Sequence, residues 1–158
     1  MPRFKTCLPA VGCAVLFAAI VATLAAKDHE SGARFFDSGE AAELDLPFSE
    51  AVRAGDFLYL SGQIGNVPGE SAPVPGGIVP ESRRALLNMR RVLERHGLTM
   101  RDVIKCMVFL TDMAEWAEFN EVYREFFEPP YPARSAVAVD GLALGARVEV
   151  ECVAFSPR

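Results

Sequence analysis

Apolar residues recur along the chain with two periods, and the switches between them mark out the elements. The run Phe57-Leu58-Tyr59-Leu60-Ser61-Gly62-Gln63-Ile64 follows an Ala54-Gly55-Asp56 turn and predicts a buried strand, with a second strand-like piece before it from Val52. Pro and Gly then crowd residues 68–77, which predicts a surface loop. From Pro80 the period lengthens. Ala85, Leu86, Met89, Val92 and Leu93 fall on one face of a helix, with Pro80 and Glu81 in its first turn. His96-Gly97 closes it with a cation and a C′ glycine. Val103–Leu110 reads as another buried strand, and Asp112-Met113-Ala114-Glu115 as a capping box opening a second helix. That helix carries Trp116, Phe119, Tyr123, Phe126 and Phe127 on its apolar face. Asn120 shares the face, four residues after Trp116, and aims an amide at the core or at a cleft. Pro129-Pro130 stops the helix, and Ser135–Val139 and Val148–Phe155 supply two more strands around a Gly141–Gly145 turn region. The order ββ, α, β, α, ββ is an α+β pattern without internal repeats, and it places one domain at 46–158.

The first residues follow a different pattern. Arg3 and Lys5 precede an uncharged stretch from Cys7 to Ala26, a positive n-region and an apolar h-region. Residues 1–26 are therefore expected to be an export signal cut near Thr23-Leu24-Ala25, or an uncleaved anchor of bilayer-spanning length. Either way the domain is expected outside the cytoplasm: periplasmic or secreted after cleavage, membrane-anchored otherwise. A lipoprotein reading of Cys13 fails because most of the apolar segment follows that cysteine. Residues 27–45 form a polar linker in which Arg34-Phe35-Phe36 allows a short edge strand.

The formal net charge of -5 argues against a nucleic-acid surface, which needs clustered Lys and Arg to displace counterions. Arg83, Arg84, Arg90, Arg91 and Arg95 lie mostly off the first helix's apolar stripe and read as a solvated face. His29 and His96 are isolated, and no Cys, His and Asp cluster has metal-ligand spacing, so no metal is expected. Cys106 and Cys152 sit among apolar strand residues and are expected to be buried free thiols; an oxidising compartment would also permit a bond between them.

The sharpest chemical signal is Pro130-Tyr131-Pro132-Ala133-Arg134-Ser135, followed by Val148-Glu149-Val150-Glu151. An arginine behind a proline-stiffened lead-in offers a planar, permanently charged fork for a carboxylate. A glutamate facing the same cleft could hold a water, and Glu151, on the same strand face, is the first candidate to stand in for Glu149.

Six segments occur in one order: Leu46-Pro47-Phe48-Ser49-Glu50-Ala51, Leu60-Ser61-Gly62-Gln63-Ile64, Val108-Phe109-Leu110-Thr111-Asp112, Phe119-Asn120-Glu121-Val122-Tyr123, Pro132-Ala133-Arg134-Ser135 and Val148-Glu149-Val150-Glu151. Together they resemble the Rid family of reactive intermediate deaminases, also called YjgF or L-PSP endoribonuclease. The resemblance implies a chorismate-mutase-like α+β fold, a mixed sheet backed by two helices, in a homotrimer with ligand clefts between subunits. It implies cofactor-independent hydrolysis of 2-imino acids to 2-oxo acids and ammonia. Arg134 takes the position of the family's carboxylate-binding arginine and Glu149 that of its water-directing acid. Gly62 offers backbone near the ligand, and Asn120 and Tyr123 match positions beside the cleft. Phe48 and Ala136 stand where the archetype has tyrosine and cysteine, which makes the pocket more apolar. A different class of function, an exported protein that binds small carboxylates without turnover, fits the same residues. A ribonuclease fits the acidic charge poorly.

Overall fold

The computed structural model describes residues 32–37 and 46–157, and the expected export segment, residues 1–26, lies outside them. The described part is a sheet of six strands with two helices. The strands are β1 (Ala33–Phe36), β2 (Ala51–Ala54), β3 (Phe57–Ile64), β4 (Val103–Leu110), β5 (Ala133–Ala138) and β6 (Val148–Phe155). The helices are α1 (Ile78–Arg95), between β3 and β4, and α2 (Trp116–Phe126), between β4 and β5. The sheet order is β1-β2-β3-β6-β4-β5, and β4 with β5 is its one parallel pair. A parallel pair needs a crossover, and α2 supplies it.

The helix stripe is buried as its period requires: Ala85, Leu86, Met89, Val92 and Leu93 all lie in the core. They meet Leu58, Cys106, Val108, Leu110, Val148, Val150 and Cys152 from one face of the sheet, and Phe119, Val122 and Tyr123 from α2. In β6 the alternation is regular: Val148, Val150, Cys152 and Ala154 face the helices, so Glu149, Glu151 and Val153 face away. In β3 it is broken. Leu60 pairs with Cys152 and Gln63 with Val150, so Ser61 and Gly62 together oppose Glu151 in a β-bulge.

Four local expectations need correction. Cys106 and Cys152 are disulfide-bonded. They face each other in the β4–β6 register with Cα atoms 4.1 Å apart, a cross-strand proximity that spacing in the chain does not reveal. The segment after Asp112 opens with a 3₁₀ turn, Met113–Glu115, before α2 begins. Asp112 Oδ1 accepts from the Ala114 amide, but Glu115 turns to the Arg147 guanidinium and does not close the box. Trp116 is 43% exposed and stands outside the core. His96 caps α1, yet burial and then the nearby Arg53 and Arg95 hold its pKa below the usual histidine range, so it is no cation for the helix dipole at neutral pH. Gly97 takes the expected left-handed conformation, φ 72°.

The Arg34-Phe35-Phe36 segment is an edge strand, and the compact unit that contains the sheet begins at Gly32. On the face away from the helices, Phe57, Tyr59, Val137 and Phe155 remain exposed, with the Phe57 and Phe155 rings 5.4 Å apart.

Candidate functional site

Arg134 sits near the start of β5, level with Cys106 of β4, and therefore on the helix-covered face. Its Nη2 donates to Asn120 Oδ1 at 2.6 Å. Its guanidinium lies 4.5 Å from the Tyr123 ring centroid and 5.5 Å from that of Phe119. Three side chains of α2, at positions 119, 120 and 123, thus fix the plane of one arginine, as the i, i+3, i+4 spacing allows. Half-burial lowers the Arg134 pKa, with Tyr123 acting the other way, but a guanidinium keeps its charge throughout the physiological range. Burial pushes the Tyr123 phenol up to about 12, so it presents a neutral ring to the cation. Among the described residues no carboxylate pairs with Arg134. Ala136, two residues on, shares its face and packs against the core.

Glu149 lies elsewhere. It is level with Phe109 of β4 and Ile64 of β3, on the face away from the helices. It lines a cavity of about 630 Å³ together with Phe48, Ser61, Gly62, Ile64 and Leu144. The cavity adjoins the part of β3 that runs past the end of β2, and α1 reaches it through Asn88, Arg91 and Arg95. A Cβ on Gly62 would come within 1.7 Å of Glu149 Oε1, so any larger residue there requires the carboxylate to move. The bulge and its glycine let the carboxylate fold down onto the strand. Partial burial raises the Glu149 pKa, and the neighbouring Glu151 charge raises it further.

The expected site residues thus divide. Arg134, Asn120, Tyr123 and Ala136 form one cluster, and Glu149, Gly62 and Phe48 form another. Strand alternation sends arginine and glutamate to opposite faces of the sheet, so one chain alone does not form a cleft that holds both; the resemblance places the clefts between subunits.

The cavity also contains residues that the sequence pattern did not mark for it. Asn88, within the apolar stripe of α1, is buried and donates through Nδ2 to the carbonyls of Ile64 and Asn66, at 3.1 and 2.9 Å. An amide among core positions 85, 86, 89 and 92 was the available signal for this anchor. Arg91 and Arg95 line the cavity although their positions read as a solvated face, and Arg95 pairs with buried Glu50. The Ser61 hydroxyl donates to the Ser49 carbonyl at 2.6 Å, tying the loop that carries Phe48 to the bulge. Arg147 is held from both sides, its amide donating to Glu81 Oε2 at 2.8 Å and its side chain to Glu115, which fixes the entry to β6 two residues before Glu149.

Comparison with known proteins places this arrangement. The family described as Endoribonuclease L-PSP matches residues 40–156, nearly all of the sheet and both helices. The chain belongs to this family, the YjgF/Rid family. Among its curated relatives, the 2-iminobutanoate/2-iminopropanoate deaminase of Capra hircus is 36% identical over 121 residues, covering 77% of this chain and 88% of the relative. The human protein of the same name is 39% identical over 109 residues, covering 69% and 80%. Among solved structures, a putative endoribonuclease from Thermotoga maritima superposes with a TM-score of 0.72 at 36% identity, covering 79% of this chain and 98% of that one. A Mycobacterium tuberculosis member of the YjgF/YER057c/UK114 family gives 0.67 at 30% identity, covering 78% and 98%. The expected α+β fold, a mixed sheet backed by two helices, is the Rid fold.

Proposed function

We propose that this Rid-family protein hydrolyses 2-imino acids to 2-oxo acids and ammonia outside the cytoplasm, as a homotrimer whose sites combine Arg134 of one subunit with Glu149 of a neighbour. The observation that carries the reading is Arg134 itself: a half-buried guanidinium, stacked on Tyr123 and oriented by Asn120, with no carboxylate partner among the described residues. Such a group binds an anion, and the fork geometry suits a substrate carboxylate. The relatives' deaminase names point to the same substrate class. The split between the two clusters supports a site completed by a second copy, and the exposed apolar sheet face offers a surface for that contact. The buried disulfide and the apolar segment at residues 7–26 both suit an oxidising compartment.

In the reaction, Arg134 holds the carboxylate and so places the C=N carbon. Glu149, as carboxylate, takes a proton from water as the water oxygen bonds to that carbon. That proton passes to nitrogen to give the tetrahedral carbinolamine, and transfer of its hydroxyl proton to the amino nitrogen, again by way of Glu149, lets it collapse to the 2-oxo acid with loss of ammonia. The raised pKa of Glu149 makes it a stronger base than an exposed glutamate. No cofactor enters the balance.

The test is ammonia release from freshly generated 2-iminopropanoate by the purified protein. Arg134→Ala is expected to abolish acceleration and weaken pyruvate binding. Glu149→Gln is expected to slow turnover by about 10²- to 10⁴-fold while pyruvate still binds. Saturable pyruvate binding without any acceleration by the wild type would identify a carboxylate-binding protein instead.

A further inference from the structure

In a single chain the cavity that holds Glu149 measures about 630 Å³, and in the proposed site the neighbour's Arg134 would also project into it. Three large apolar residues line it while keeping much of their surface open: Leu46, 42% exposed, Phe48, 54%, and Leu144, 55%.

Leu144 differs from the other two in its backbone. At φ 57° and ψ 17° it occupies the left-handed region, and among the described residues it is the only non-glycine with positive φ. A Cβ makes that conformation costly, whereas glycine takes it freely and asparagine with little penalty. Glycine would therefore serve the turn better, and an exposed side chain adds nothing to the core. What leucine adds at this position is apolar surface on the cavity that also holds Glu149. Strain kept without a packing return is a mark of a ligand-contacting residue.

We infer that Leu144 determines specificity: with Leu46 and Phe48 it forms the wall that receives a branched or aromatic substrate side chain, so that such acids are preferred over 2-iminopropanoate. The turnover part rests on the deaminase reading; the ligand preference rests only on carboxylate binding at the same site.

The experiment compares wild type, Leu144→Gly and Leu144→Asn on imines derived from leucine and alanine, and on the matching 2-oxo acids, 4-methyl-2-oxopentanoate and pyruvate. Both variants can keep the left-handed turn, and Leu144→Gly is expected to raise the thermal midpoint by about 2–4 °C. For both, kcat/KM and affinity for the leucine-derived compounds are expected to fall roughly tenfold, with changes under about twofold for the alanine-derived ones. Equal losses on both series, or no loss, would overturn the inference. So would a reduced subunit number by light scattering, which would make Leu144 a subunit contact. If the wild type prefers 4-methyl-2-oxopentanoate, the variants lose that preference, and no imine is hydrolysed, the specificity role stands and the deaminase reading fails.

Discussion

A single missing Cβ sets the position of the acid. Gly62 lies under the Glu149 carboxylate so closely that Gly62→Ala must displace it. Because misplacement of a catalytic group by about 1 Å can cost about 10²-fold, Gly62→Ala is expected to lower kcat by roughly 10- to 100-fold with pyruvate affinity little changed. Steady-state kinetics beside a pyruvate titration checks this. The acid also has a charged neighbour. In the proposed mechanism Glu149 must be ionised to act as base, so activity is expected to be lost as pH falls through its pKa, and burial together with Glu151 puts that limb above the ordinary glutamate range. Glu151→Gln removes the repulsion and is expected to move the acid limb of the kcat–pH profile to lower pH. An unmoved limb would show that Glu149 is not the titrating base. For stability the sign is opposite to that of a paired carboxylate. With its pKa raised by folding, ionised Glu149 costs stability at pH above its folded value, and that cost disappears as pH falls through the folded pKa toward the unfolded one.

Among elements, β4 and β6 carry the covalent tie. Cys106 and Cys152 are 46 residues apart in sequence, so their bond closes a long loop of the unfolded chain. The Cys106→Ala/Cys152→Ala double variant is expected to lose about 2–4 kcal/mol by urea unfolding, while thiol labelling of the denatured, unreduced wild type finds neither cysteine free. Such pairing was hidden in the sequence, because register between strands distant in the chain is decided by the whole sheet. The elements themselves were legible. The 3.6-residue stripe of α1 and the apolar runs of β3, β4 and β6 are local signals, and each lies where its period put it. The motif around Arg134 was legible too, and so was an amide at Asn120 aimed at the core or a cleft, but the hydrogen bond between the two was not, because it joins α2 to β5. The bulge at Ser61–Gly62 was not, nor was the opposition of Arg134 and Glu149, because face assignment on nonadjacent strands depends on register and on one inserted residue.

At the scale of the whole molecule, the proposed shared site would leave each chain with two incomplete halves. One half, on β5 and α2, supplies an oriented cation; the other, at the β3 bulge, supplies a carboxylate in a cavity. Closed cyclic assembly would bring the first half of one copy against the second half of the next, with an identical site at every interface. This makes complementation decisive. Arg134→Ala subunits alone are expected to be inactive, and Glu149→Gln subunits alone to keep at most about one hundredth of wild-type turnover. Co-expressed and randomly assembled, about a quarter of interfaces would receive both wild-type residues, so activity near that fraction of wild type is expected. Light scattering first establishes that each variant has the wild-type subunit number, and mass spectrometry confirms mixed oligomers. Sites built within one chain could not be rescued this way, since every chain in the mixture lacks one of the two groups. Mixed oligomers with no recovered activity would therefore refute the shared site, even if each variant alone behaved as the mechanism requires.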